Sequence, residues 1–571
     1  MDYDLRIAGG TIVDGSGAPG FRGDLAIRGG VVAAVGEARG SARETLEADG
    51  RVVAPGFIDL HTHYDAQVLW DPLLSVSSWH GVTSVVMGNC GFGVAPVRPA
   101  DRPKILRTLE KVEGMSLAAL EAGMGAEWPF ETFPEYLDWL ERRGAALNTA
   151  VYVGHTPVRL YVMGDAASQR AASGAELEQM RRLVAEAIRA GAIGFATSKS
   201  PTHVGFEGRP VPSRLADLAE IQALAGVLGE EGAGIAQLTI GPGLYLGEIE
   251  SLARAIRRPV TWSALLSGLA VEGLPPRELL ARHAKLAAQG LRIAPQVSCR
   301  PLTLDFDFAA PFPFEGLPSF AQAAAVDASG KRRIYAEPGF RAAFRADLAG
   351  ELFLGVLRDC WERTEVSASP RAPELEGRGV AELARERGVD PLDLVLDLSL
   401  DSGLEARFRL ALLNSDEEEV GWLLRQPEGV LGLADSGAHA NQLCDACFAT
   451  HLLGHWVREL GALGLEQAIF MLTGRVAEVL GLPDRGRLAP GRPADVVVFD
   501  PASVGAGPLR RVRDLPAGAD RLVADAIGID AVLVNGVAVR RSGRDAVDPG
   551  GPLPGALLRP RGARARDARG S

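Results

Sequence analysis

The stretch Ala54-Pro55-Gly56-Phe57-Ile58-Asp59-Leu60-His61-Thr62-His63 reads as a turn, a short apolar strand over 57–61, and two histidines at the strand's end. Residues two apart on a strand point the same way, so both imidazoles can face one side. Working outward, seven further runs of this kind follow, at 84–88, 150–154, 193–197, 234–238, 260–264, 292–297 and 430–435. Helical patterns separate them. Ser173 and Glu176 form a capping-box pattern, Leu177, Met180, Leu183, Val184, Ala187 and Ile188 make an apolar stripe, and Gly191 stops the helix. Ser415 and Glu418 repeat the capping pattern ahead of the eighth run. Such alternation predicts parallel strands covered on both faces. Eight units favour an α/β fold closed into a (β/α)8 TIM-type barrel over an open sheet.

The ends of the chain read differently. Residues 4–8 form a strand, and 25–27 and 31–35 flank a Gly29-Gly30 hairpin turn. Near the other end, 495–499 is β-rich, and 531–534 and 537–540 flank Asn535-Gly536. Neither end has enough strands to bury a core alone, so the two together predict one small β-sandwich built from both termini. About 130 residues separate the seventh and eighth runs, too many for a bare loop. With 319–325 and 352–361 reading as helices, a helical subdomain or lid is expected there. The expected organisation is β-sandwich over 1–54, barrel over 55–484 with the helical insertion at about 300–428, β-sandwich again over 485–558, and a basic disordered tail over 559–571.

A net charge of −12 argues against a large nucleic-acid-binding surface. No basic region followed by an apolar run opens the chain, and no run of about 18 apolar residues occurs, so neither a secretory signal nor a membrane span is expected. Five sparse cysteines argue against a disulfide framework and fit a reducing cytoplasm.

The chemistry gathers at strand ends, where barrels of this kind keep it. His61 and His63 suit a divalent metal, although H-x-H alone also fits plain hydrogen bonding. Cys90, in Gly88-Asn89-Cys90-Gly91, closes the second strand beside the first. A free cysteine is most often a small buried hydrophobe, but its position favours a metal ligand. Asp435 ends the eighth run and faces the first strand around the barrel. There it can bind metal or move a proton, where an isolated aspartate would cap a turn. His155, in Gly154-His155-Thr156, can orient substrate, act as an acid or bind metal. His439 can support the site from behind. Cys444 and Cys447 lack the second pair of a zinc knuckle, and His451 and His455 lack an H-E-x-x-H glutamate, so both pairs read as helix packing.

With Ala54–His63, Gly81-Val82-Thr83-Ser84-Val85-Val86-Met87-Gly88-Asn89-Cys90-Gly91, Val153-Gly154-His155 and Gly491-Arg492-Pro493-Ala494-Asp495-Val496-Val497-Val498 on the page, the chain resembles the amidohydrolase superfamily. Its nearest group is the N-acyl-D-amino-acid deacylases, or D-aminoacylases. The resemblance implies a barrel with a small β-sandwich and zinc held through His61, His63 and Cys90, with Asp435 in the catalytic position. It implies hydrolysis of a linear amide in a small N-acyl substrate by metal-activated water, with Asp435 passing the proton to the leaving amine. The family also has histidines ending strands five and six. Here strand five reads Ile235-Ala236-Gln237-Leu238-Thr239 and strand six Val260-Thr261-Trp262-Ser263-Ala264-Leu265, with no histidine. A neutral amide suits zinc poorly, so of the one or two zinc ions expected, a mononuclear or altered site is the reading.

An N-acyl amino acid carries a carboxylate, which favours a cationic clamp. Arg159, Lys199 and Arg300 follow strands three, four and seven and are candidate substrate contacts with His155, although each can equally be a solvated surface charge. Two other functions stay open: hydrolysis of a cyclic amide of the hydantoinase or dihydroorotase type, for which Lys199 lies just past the required strand-four position, and a metal-free barrel acting as a binding protein. No nucleic-acid or membrane partner is expected, and homo-oligomerisation is left open.

Overall fold

The computed structural model describes residues 1–205, 208–324, 326–350 and 356–560. Eight parallel strands lie in one continuous sheet: Phe57–Asp59, Val82–Met87, Asn148–Gly154, Gly194–Ser198, Ile235–Thr239, Val260–Ser263, Ile293–Val297 and Val430–Leu431. Neighbours pair in chain order, from Ile58 opposite Ser84 through to Val297 opposite Leu431. The sheet curls until its edges meet. Beyond the ends of the first and last strands, Thr62 and Ser436 form an isolated parallel bridge, and the His63 N–H donates to the Ser436 carbonyl at 2.7 Å. The fold is mixed α/β of the TIM-barrel type.

Almost every residue of these strands is buried, because helices cover the outer face and side chains fill the inside. Helix Gly174–Ala190 shows the local logic. Ser173 and Glu176 make the reciprocal capping box, Met180, Val184, Ala187 and Ile188 face the core, and Gly191 ends it at φ +115°. Ahead of the eighth strand, the expected Ser415 cap is corrected to Asp416, whose carboxylate accepts the N–H groups of Glu418 and Glu419. The eighth strand itself is shorter than expected, stopping at Leu431. Leu433 and Asp435 sit at φ +60° and +44°, a left-handed conformation that cannot continue a β-ladder.

Both chain ends contribute to a nine-stranded sheet. Phe21–Arg28 and Val31–Gly36 pair across Gly29-Gly30, and Ile529–Val534 and Val537–Arg541 across Asn535-Gly536. The join is made by Val52–Pro55 lying antiparallel to Val496–Phe499. Between the seventh and eighth barrel strands, the helical expectation is corrected. Leu302–Asp307, Thr364–Ala368 and Arg407–Leu413 form an antiparallel sheet packed with helices Ala328–Ala336, Pro338–Ala349, Val380–Arg387 and Pro391–Asp401. This region has its own apolar core, rich in aromatic rings such as Phe306, Phe314, Phe344 and Phe408. Part of the expected 352–361 helix, and the tail from 561 onward, lie outside the described residues. Arg559, where the tail was expected to begin, is paired with Glu141. Among the described residues no helix is long and apolar enough to cross a membrane.

Candidate metal centre

His61 and His63 leave the first barrel strand with their rings 5.3 Å apart, both buried. Each is held from behind. Gln296 Oε1, on the seventh strand, lies 2.6 Å from His61 Nδ1, and Glu113 Oε1 lies 3.1 Å from His63 Nδ1. With Nδ1 turned to these oxygens, both rings direct Nε2 to the centre of the mouth, where giving up the Nε2 proton would leave the lone pair a metal needs. There His61 Nε2 meets Cys90 Sγ at 3.4 Å and Asp435 Oδ1 at 3.2 Å, and His63 Nε2 lies 3.6 Å from the same oxygen.

Cys90 sits on a turn that only glycines permit. Gly88 has φ +79°, and a Cβ there would lie 2.4 Å from the Tyr152 carbonyl oxygen; Gly91 has φ +74°, and its Cβ would lie 2.8 Å from Thr197 Cα. Between them Cys90 takes φ +57°, and across the mouth Asp435 takes φ +44°. Each such left-handed residue costs roughly 1–3 kcal/mol, which the surrounding structure must offset. The Cys90 N–H is fixed by Gln237 Oε1 at 2.8 Å, and Gln237 Nε2 donates to Ser263 Oγ at 3.3 Å.

The electrostatics call for a cation at the centre. Burial raises the Cys90 thiol, but the imidazoles of His61 and His63 outweigh it and bring the group down to about 7. Burial likewise opposes the Asp435 charge, yet the same two rings hold its carboxyl well below the usual carboxylate range. Burial disfavours the His61 proton, but Cys90 and Asp435 raise the ring to about 9. In other words, a thiolate and a carboxylate are stabilised by positive charge placed between them. The His61, His63 and Cys90 donor atoms lie within 4.8 Å of one another. Two nitrogens, one sulfur and the Asp435 oxygen form the mixed set that suits zinc.

Each of the four expected substrate contacts has a partner within the protein. His155 is buried between Thr197 Oγ1 at 2.7 Å and Glu220 Oε1 at 2.9 Å. Arg159 is fully buried on the same Glu220 and also donates to the carbonyls of Ala167 and Arg170. Lys199 gives its ammonium to the carbonyls of Arg214 and Ala216 at 2.6 and 2.8 Å, and Arg300 pairs with Asp445 at 2.8 Å. A buried guanidinium must be neutralised, and Glu220 does this for Arg159 as Asp445 does for Arg300. Glu113, Gln296 and Glu220 escaped the sequence reading. Gln296 had a usable signal, since it lies on a barrel strand next to the mouth; Glu113 and Glu220 lie in no motif. The His439 backbone N–H donates to the Glu113 backbone carbonyl, a bond that fixes the main chain only.

Residues 44–540 match the amidohydrolase family. The chain is 31% identical over 545 residues to a D-aminoacylase of Alcaligenes xylosoxydans xylosoxydans, covering 94% of each. It is 31% identical over 541 residues to the N-acyl-D-glutamate deacylase of the same organism, covering 94% of this chain and 93% of that one. The structure of the Bordetella bronchiseptica N-acyl-D-glutamate deacylase, complexed with zinc and a phosphonate mimic of the tetrahedral intermediate, aligns at a TM-score of 0.64 and 27% identity. That alignment covers 98% of this chain and all of the other. Matched along most of its length by the family and by both deacylases, the chain belongs to the amidohydrolases, enzymes that hydrolyse carbon–nitrogen bonds other than peptide bonds.

Proposed function

We propose that this chain is a zinc-dependent deacylase that cleaves the linear amide of an N-acyl-D-amino acid or a similar small N-acyl compound. The observation that carries the reading is the convergence of His61 Nε2, His63 Nε2 and Cys90 Sγ beside Asp435 Oδ1. Bound zinc supplies a water of lowered pKa and polarises the scissile carbonyl. His61, His63 and Cys90 would hold the ion, with Gln296 and Glu113 keeping the two rings aimed. Asp435 Oδ1 takes the proton released as the water oxygen bonds to the carbonyl carbon. It returns that proton to the nitrogen as the C–N bond breaks, giving an acid and a free amine.

One ion per chain is the expected content, because Gln237 and Ser263 are bonded to the protein where further ligands would stand. The cyclic-amide alternative finds little support: Lys199 lies beyond the fourth strand, with its ammonium on two carbonyls. In the same reading, the nine-stranded sheet belongs to a small sandwich domain of 1–54 and 485–558, and the insertion at about 300–428 serves as a subdomain beside the mouth. The enzyme works in the cytoplasm on a small molecule.

Metal analysis of the purified chain, with a panel of N-acyl-D- and N-acyl-L-amino acids assayed with and without added zinc, tests this. The expected result is one zinc per chain and D-selective hydrolysis that is lost on chelation and in H61A/H63A. Two tightly held zinc ions would overturn the mononuclear site. A zinc-loaded chain inert to every N-acyl-D-amino acid would overturn the substrate. Metal-independent ligand binding that survives H61A/H63A would favour a binding protein instead.

A further inference from the structure

A second cavity, of about 510 Å³, opens at the end of the barrel opposite the metal centre. Arg258 and Arg292, which line it, lie two residues and one residue ahead of the sixth and seventh barrel strands, and residues in that position lie at the N-terminal face. Arg485, Arg487 and Arg492 reach it from the connection into the terminal sheet. Two of these charges are answered, Arg485 by Asp484 and Asp495, and Arg487 by Glu478. Arg258, Arg292 and Arg492 have no carboxylate partner among the described residues. Arg258 gives only Nε to the Gly234 carbonyl, at 3.0 Å, and Arg492 only Nη1 to the Arg485 carbonyl, at 3.4 Å.

In a chain of net charge −12, three unanswered guanidinium groups around one cavity run against the overall balance. Burial and the neighbouring Arg292 charge both push the Arg258 guanidinium down from its ordinary value, as expected of like charges facing each other without a counter-ion. Among the described residues no carboxylate supplies that counter-ion to Arg258, Arg292 or Arg492.

We propose that this cavity binds a small phosphate-bearing anion through Arg258, Arg292 and Arg492, with the apolar body of the ligand resting on Ala477, Leu480 and Leu482. Guanidinium forks grip phosphate oxygens in pairs. Three of them arriving from separate segments suit a tetrahedral dianion better than a flat carboxylate. The volume falls within the range of small-molecule sites. Because the catalytic donors lie at the other face, the ligand is neither substrate nor product of the amide hydrolysis.

Calorimetric titration of the full chain at constant ionic strength tests this, with inorganic pyrophosphate and adenosine monophosphate as probes and citrate and chloride as controls. The H61A/H63A variant serves as a background in which the probes cannot act through the metal centre. Expected are saturable one-to-one binding of both phosphates in the parent and in H61A/H63A, weaker binding of citrate and none of chloride. R292E, a change at an exposed residue, and R258Q/R492Q should each weaken binding at least tenfold. No saturable binding of either phosphate would overturn the proposal. So would citrate binding as tightly as the phosphates, binding that survives both arginine variants, or binding that disappears in H61A/H63A.

Discussion

The side-chain oxygen of Gln237 accepts the Cys90 backbone N–H at 2.8 Å, while its amide nitrogen donates to Ser263 Oγ at 3.3 Å. The fifth and sixth strands thus serve the metal centre through the turn that carries the thiol. Where the family resemblance implies two further imidazoles, this chain has a brace. A buried N–H left without its acceptor costs about 1–3 kcal/mol, so the brace matters to the turn as well as to the metal.

Gln237→Ala should therefore lower zinc affinity by about 10- to 100-fold, the usual cost of losing a group that orients a ligand. Competition with a chromogenic chelator measures it. An affinity equal to the parent's would mean that Gly88 and Gly91 hold the turn unaided.

Glu113→Ala frees His63 Nδ1 and should weaken zinc binding by about 10- to 100-fold, whereas Glu113→Gln keeps an oxygen acceptor and should lose less. The order of the two variants in the same chelator competition is the informative result. Equal losses would point to the Glu113 charge rather than the hydrogen bond as the important feature.

Asp435→Asn keeps the shape of the side chain but cannot take a proton. Its kcat should drop by about 10²- to 10⁴-fold, the usual size of a general acid–base contribution. Zinc should remain bound through His61, His63 and Cys90. Parent-level turnover in a zinc-loaded Asn variant would remove Asp435 from proton transfer.

Glu220 neutralises a fully buried Arg159 and also accepts from His155. Glu220→Ala should cost about 3–5 kcal/mol in urea unfolding, because it strands the guanidinium. A Glu220→Met/Arg159→Met pair should recover most of that. The link also has a pH signature. Burial opposes the Glu220 charge, but His155 and Arg159 draw its carboxyl down to about 2. A folded-state value below the unfolded 4.5 means the stabilisation is complete above pH 4.5 and is lost as the pH falls towards 2. Urea midpoints measured across that window should decline more steeply in the parent than in the double variant.

His283 Nε2 accepts the Trp262 indole N–H at 3.2 Å and must be unprotonated there. Burial, helped by the Arg282 charge, pushes the ring down to about 4. Between pH 6.5 and 4 the unfolded chain therefore takes up the proton that the folded one refuses, and stability declines by about 3 kcal/mol over that range. His283→Gln retains an acceptor and should flatten this part of the urea-midpoint profile. An unchanged slope would assign the decline to other buried histidines.

The barrel was readable because most of its strands are short, largely apolar runs between helical patterns, and that pattern survives without knowledge of neighbours. Hairpins at Gly29-Gly30 and Asn535-Gly536 were readable for a related reason, since turn chemistry is local. His61, His63, Cys90 and Asp435 were found because strand ends and glycine turns mark the mouth. Glu113 and Glu220 were hidden because what makes each important is a partner some fifty or sixty residues away, reached only after folding. The short eighth strand was misjudged because Leu433 and Asp435 leave the β region for the sake of the site, against their residue types. The sheet inside the insertion was missed because its three strands are far apart in sequence, at 302–307, 364–368 and 407–413, among segments with stronger helical patterns.

The antiparallel pairing of Val52–Pro55 with Val496–Phe499 bears on how the molecule is made. About 440 residues separate the two strands, so the ribosome finishes the entire barrel before the first strands meet their partner. At the usual pace of elongation that is a wait of roughly 20–90 s. Throughout that interval the nascent amino-terminal strands present an open edge, which makes them the segment most in need of a chaperone.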